Sequence, residues 1–204
     1  MKSFFAGVAI CIATYLSLIF DNQYVSSAVF AIGIYLVMMF NLDLYTGYVP
    51  KIKNINTLSL HHLLKILLGN FIGVVTTSIL LRGSKLYDAV SFKASKITDI
   101  NDIQFITCLQ TICLGIICGW IIAFIVCNKN IILKYIFALP LIMTFILIDS
   151  KHCIAYISYL ALCNDEINMY QILYLMLIVL GNFIGGLTFS VFNKENENGY
   201  SKNL

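Results

Sequence analysis

The sequence predicts an all-α integral membrane protein of six transmembrane segments, arranged as two inverted three-helix halves. Three observations carry that prediction. Hydrophobic residues make up 60% of the 204 positions and charged residues only 11%, with a mean hydropathy of +0.88, far from the balance of a soluble domain. Six apolar stretches approach the roughly 20 residues a helix needs to cross the hydrocarbon core. Finally, Leu67-Leu68-Gly69-Asn70-Phe71-Ile72-Gly73 recurs as Val179-Leu180-Gly181-Asn182-Phe183-Ile184-Gly185, each time in the third stretch of its half.

The first stretch runs from Ser3 to Phe20. One lysine before an apolar run resembles a signal peptide, but the run is longer than a typical h-region and no small-residue cleavage site follows, so a retained span is expected. Tyr24 to Tyr45 and Leu58 to Leu81 complete the first repeat, about residues 3–81. Gln104 to Cys127, Ile131 to about Tyr159, and Met169 to Phe192 form the second, about 104–192. The polar residues fall between them, at 21–23, 50–56, 82–102, 128–130 and 164–168, and none of these connections has the length or composition of a separate domain. Residues 1–204 therefore read as a single transmembrane domain.

An odd number of spans per half obliges the second half to enter the membrane in the opposite sense, giving an inverted repeat. In each shared element the glycines lie four apart, Gly69 with Gly73 and Gly181 with Gly185. They make a small-residue stripe that lets helices approach closely. Packing accounts for that stripe without a ligand.

The second stretch of each half is interrupted. Asn41-Leu42-Asp43-Leu44-Tyr45-Thr46-Gly47 follows the apolar run in the first half, and Asp149-Ser150-Lys151-His152 divides the segment in the second. Irregular backbone at membrane depth is tolerated only where protein or a water-filled cavity surrounds it, so paired breaks point to a central pathway.

The cysteines, seven in all, are scattered without CxxC or Cys/His spacing, which suggests neither a disulfide framework nor a metal site, and no cofactor is expected. A net charge of +3 without a basic cluster gives no support for a nucleic-acid partner. With the N-terminus inside, the inner side carries Lys2, Lys51, Lys53, Lys129, Lys134, Lys194 and Lys202, and the outer side Arg82, Lys85, Lys93 and Lys96. This excess places both termini in the cytoplasm of a multi-pass cell-membrane protein.

Individual residues keep two readings. His152 either caps a broken helix or lines the pathway, since an ionisable group at membrane depth is costly and usually functional. Lys151 either snorkels to the surface or attracts anions. The Thr46 hydroxyl can satisfy a freed backbone group, face the pathway, or both. Asp43 and Asp149, in equivalent breaks, read as caps of half-helix N-termini.

The breaks also carry a resemblance. Asp43-Leu44-Tyr45-Thr46-Gly47 is similar to the acidic-Leu-Phe-Thr-Gly/Ser loop of the formate/nitrite transporters, and His152-Cys153-Ile154-Ala155-Tyr156 to their His-x-x-Ala-Asn signature. Gly181-Asn182 to Gly186 resembles the Gly-Asn-x-x-Gly-Gly element of their last span, with Gly69-Asn70 to Gly73 as its third-span counterpart. The likeness runs from about Phe4 to Phe192. It implies an aquaporin-like fold with broken second and fifth helices, one pore in each protomer of a homopentamer, and passage of small monovalent anions or their conjugate acids, such as formate, nitrite, lactate or hydrosulfide. It also implies that His152 is the central pore histidine and Thr46 the residue facing it. Phe30 and Phe145 fall at apolar constrictions that Ile34, Leu44 and Tyr45 complete; without the resemblance both phenylalanines would be ordinary core aromatics.

Departures accompany the likeness. Lys151 stands where the family has an acidic residue, Tyr156 where it has asparagine, and Cys118-Gly119 where it has Cys-Asn or Ala-Asn. The family's lysine before the fourth span and its amphipathic N-terminal helix have no clear match. The expected function is therefore a channel or proton-linked transporter for small monovalent anions. An aquaporin-like channel for a neutral solute is the alternative, although no Asn-Pro-Ala occurs. A non-conducting assembly protein is another, if Tyr156 and Gly119 close the pore. A membrane-embedded enzyme is not expected, because no convergent acidic or histidine cluster occurs.

Overall fold

The computed structural model describes residues 1–52, 55–163 and 166–201, with side chains described as far as residue 193. Lys53, Lys202 and the side chain of Lys194, used above in the charge count, lie outside the described residues, as do positions 164–165 of the last connection. The helices in chain order are α1 (Lys2–Ile19), α2 (Gln23–Met39), the single turn α3 (Tyr45–Tyr48) running into a 3-10 turn at Val49–Lys51, α4 (Thr57–Leu81), α5 (Tyr87–Thr98), α6 (Phe105–Cys127), α7 (Ile131–Leu147), α8 (Cys153–Leu162) and α9 (Met169–Ser201). Among the described residues, α1, α4, α6 and the Met169–Asn193 part of α9 are each long and apolar enough to cross a membrane, whereas α2, α7 and α8 are shorter.

The polar connections act as helix starts. Asn22 accepts hydrogen bonds from the Tyr24 and Val25 amides, and Asn130 does the same for Ile132 and Leu133. Asn56 and Ser59 form a reciprocal capping box at the head of α4.

Packing follows the halves. α1 lies against α4 and α2, α6 lies against α9 and α7, α2 crosses to α7, and α8 is enclosed by α1, α4 and α5. The glycine stripes set the tightest of these approaches. A Cβ on Gly73 would overlap the Phe4 carbonyl of α1, and one on Gly185 would overlap the Ile116 carbonyl of α6. Gly69 faces Ser3 in the same way, and Gly181 faces Ile112 and Gly115. The core between the helices is branched aliphatic, with Ile10, Ile34, Ile122, Ile142, Ile154 and Ile178 almost fully buried. The outward faces keep Leu80, Phe105 and Phe124 exposed, as a lipid-facing surface requires.

The connection 82–102 differs from expectation: it holds the helix α5. Tyr87, Val90, Ala94 and Thr98 recur at helical spacing along its buried face, and the first three pack with Tyr15, Leu18, Leu162 and Cys163 over one end of the bundle. Its outer face is tied to the α1–α2 connection, where Lys93 donates to Asp21 at 2.6 Å. That hydrogen bond and charge hold the Asp21 carboxyl below its ordinary range.

Candidate functional site

The two breaks are built alike. α2 ends with Asn41 at φ 49° and α7 ends with Asp149 at φ 58°. In the first, the Leu42 amide reaches the Val37 carbonyl at 2.9 Å and the Asn41 amide reaches Met38. In the second, the Ser150 amide reaches Phe145 at 2.9 Å and the Asp149 amide reaches Ile146. Both are Schellman endings, in which a left-handed residue closes the helix and its orphan carbonyls find donors. Asn and Asp tolerate that conformation because a short polar side chain can bond locally.

The chain then restarts after an extended residue, Leu44 before α3 and His152 before α8. One asparagine from the shared Gly-Asn element clamps each restart. Asn70 Oδ1 accepts from the Tyr45 amide at 2.9 Å while its Nδ2 donates to the carbonyls of Asp43 and Ser3. Asn182 Oδ1 accepts from the Cys153 amide at 2.9 Å while its Nδ2 donates to the carbonyls of Lys151 and Gly115. Both side chains are fully buried, so these amides serve backbone groups that have no water at hand.

The expected capping role of Asp43 and Asp149 is corrected here. Leu44 heads α3 without a side-chain cap, and His152 heads α8 with its Nδ1 accepting from the Ala155 amide at 3.2 Å. Asp149 instead occupies the left-handed position, with its carboxylate accepting from Lys151 Nζ at 2.6 Å. Asp43 contributes its main-chain carbonyl to Asn70.

The breaks meet at one contact: Thr46 Oγ1 lies 3.0 Å from His152 Nε2, with Thr46 wholly buried and His152 3% exposed. Because Nδ1 accepts the Ala155 N–H, the ring proton belongs on Nε2 and the imidazole is the neutral tautomer that donates toward Thr46. One ring thus caps α8 through Nδ1 and meets Thr46 through Nε2.

A cavity lies on each side. The larger, about 160 Å³, is lined by His152, Phe30, Phe145, Ser150, Tyr156 and the paired Asp149 and Lys151, together with Ile97 of α5. The smaller, about 50 Å³, is lined by Ile34, Leu44, Asp43, Lys51, Lys134 and Val126. Phe30 and Phe145 share the larger cavity, where they meet edge to face with centroids 6.0 Å apart, and Phe145 stacks on His152 at 6.3 Å. They lie together on one side of the histidine, whereas Ile34 and Leu44 line the opposite cavity. Tyr45 lines neither. Its hydroxyl reaches the Val179 carbonyl at 3.4 Å, and its ring faces an apolar groove between α4 and α9.

The profile of the formate/nitrite transporters matches residues 1–193. The chain belongs to the formate/nitrite transporter family. It is a multi-pass membrane protein, and its fold matches solved structures of that family. One described as a pentameric formate channel with formate bound is 17% identical, with a TM-score of 0.79 over 97% of this chain and 95% of the other. One described as an FNT family ion channel is 21% identical, with a TM-score of 0.74 over 97% of this chain and 87% of the other. No curated protein matches the sequence.

Within this formate/nitrite transporter the departures fall in two places. Gly119 packs between α6 and α9, where a Cβ would come within 2.8 Å of the Asn182 carbonyl, so it lines neither cavity. Lys151 and Tyr156 both line the larger cavity. Sequence reasoning weighed Tyr156 as a departure that could close the pore and did not single out Ser150 or Tyr174, which line the same cavity; Tyr156 lies one helical turn beyond His152, a spacing that places both on the same face. Lys51 and Lys134 counted only toward orientation, yet both reach the smaller cavity.

Proposed function

We propose that this chain conducts small monovalent anions, or their conjugate weak acids, through a pathway that crosses between the two breaks. It does so as six spans in two inverted halves, within a homopentamer having one pathway per protomer, in the cell membrane with both termini cytoplasmic. The contact between Thr46 and His152, buried between two cavities whose linings carry lysines, is the observation that supports this reading best. The matched geometry of the breaks supports the inverted repeat, and the pentameric assembly of one similar structure supports the oligomer.

Lys151 at one cavity and Lys51 with Lys134 at the other raise the local concentration of anions. Between them the anion must shed water among Phe30, Phe145, Ile34 and Leu44, which costs a charged species far more than a neutral one. That desolvation favours the protonated acid, with the proton taken up from water at the more acidic side. The Nε2–H of His152 and the Thr46 hydroxyl supply hydrogen bonds at the narrowest polar point. Because Nδ1 already holds the Ala155 amide, the ring serves as a fixed donor, and its cationic form would forfeit the cap of α8.

The test is formate and lactate flux into proteoliposomes at two external pH values. Wild type should transport faster as external pH falls. His152→Ala should lower flux at least tenfold while assembly persists, whereas an assembled His152→Ala protein with unchanged flux and pH dependence would refute the mechanism.

A further inference from the structure

Two buried hydroxyls face the larger cavity without partners. Ser150 Oγ and Tyr156 Oη make no hydrogen bond among the described residues, and Ser150 is only 9% exposed and Tyr156 4%. A buried hydroxyl left so is costly, and natural structures keep few of them. The charged groups at this wall cancel: Lys151 donates to the Asp149 carboxylate at 2.6 Å, and His152 is held in its neutral form by the cap it provides to α8. The other walls are the apolar side chains of Phe30, Phe145, Ile97 and Ile178, with Tyr174 packed 5.2 Å from the Tyr156 ring. One water needs only about 10–15 Å³ of space such as the 160 Å³ found here, so a molecule of several heavy atoms has room.

We propose that Ser150 and Tyr156 form a binding site in this cavity for small neutral primary amides. A hydroxyl both donates and accepts, so one O–H meets the amide carbonyl oxygen while the other hydroxyl oxygen accepts an amide N–H. The carbon end of the amide lies against the aromatic and aliphatic walls. A carboxylate of the same shape fits less well. It has two acceptors and no donor, and it would lose its hydration beside a lysine already engaged by Asp149, with no free cation to offset the loss. A neutral amide needs only its hydrogen bonds replaced, and two are on offer. The ligand class is thus distinct from the anions of the transport reading, and occupancy of the site does not rest on that reading.

The probe is acetamide, with acetate as the charged molecule of the same shape. Saturation-transfer NMR on the detergent-solubilised protein reads the methyl signal of each for wild type, Tyr156→Phe, Ser150→Ala and the double variant. Wild type should bind acetamide saturably and acetate roughly tenfold more weakly, because only the anion carries a charge to desolvate. Each single variant should weaken acetamide binding roughly three- to tenfold, the range for one hydrogen bond between neutral groups, and the double variant should lose saturable binding. Melting of the ligand-free variants should match wild type, since neither hydroxyl has a partner to lose. Tyr156→Phe also keeps the ring beside Tyr174, so it decides the matter alone if Ser150→Ala is unstable. Acetamide binding with this pattern in a protein that carries no formate across vesicles would sustain the amide site and remove the transport reading. Acetamide affinity unchanged in Tyr156→Phe, or acetate bound by wild type as tightly as acetamide, would overturn the site.

Discussion

At the scale of single residues, the site depends on side chains that satisfy backbone groups while keeping a second face for chemistry. His152 caps α8 through Nδ1 and meets Thr46 through Nε2. Asn70 and Asn182 each take one amide and offer two donors across a break. Replacing either asparagine with alanine removes all three bonds and strands buried amides and carbonyls with no water to replace the partner. The expected loss is roughly 2–4 kcal/mol, which exceeds that of an ordinary hydrogen-bond deletion because the stranded groups stay desolvated. Unfolding in mixed detergent micelles measures it. Asn70→Ala and Asn182→Ala should cost similar amounts, and near-wild-type stability in both would mean that the breaks hold without the clamps.

At the scale of elements, the breaks are helix endings of a defined kind rather than loose interruptions. A left-handed residue costs a side chain branched at Cβ roughly 1–2 kcal/mol, which Asp149 and Asn41 largely avoid. Asp149→Gly should therefore leave stability near wild type, while Asp149→Val should lower it by about that amount. Thermal unfolding of the two variants side by side decides this, and equal melting temperatures would contradict the assigned backbone role. The breaks themselves were legible as polar residues set into apolar runs, and the clamping asparagines as a repeated Gly-Asn. The turn chemistry was not, because Asp is both a favoured N-cap and a tolerated left-handed residue, and only the hydrogen bonds around Asp149 tell the roles apart. Helix α5 was obscured by the polar composition of 82–102, although Tyr87, Val90, Ala94 and Thr98 already carry the helical period. The separate homes of Phe30 with Phe145 and of Ile34 with Leu44 depend on how α2 crosses α7. The outward turn of Tyr45 depends on α9, which lies far along the chain. No local pattern reports such a contact.

At the scale of the whole molecule, the distribution of cations sets both orientation and access. The end that carries Lys51 and Lys134 also carries the start of α4, with His61, His62 and Lys65 nearby in sequence, whereas α5 sits at the opposite end with Lys93 and Lys96. An excess of lysine in short connections favours the cytoplasmic side, which supports the proposed orientation with the first end inside. The cavity with Ser150, Tyr156 and Lys151 includes Ile97 of α5 and so lies toward the other end, which the proposed orientation makes the outer one. Single cysteines test this directly. With Cys108, Cys113 and Cys127 changed to serine, the other cysteines are buried. Ala89→Cys, on the exposed side of α5, and Ile55→Cys, 57% exposed before α4, then mark opposite ends. A membrane-impermeant maleimide should label Ala89→Cys in intact cells and Ile55→Cys only after the membrane is opened. The reverse pattern would invert the assignment, placing the cavity beside His152 on the cytoplasmic side and the one with Lys51 and Lys134 on the outer side.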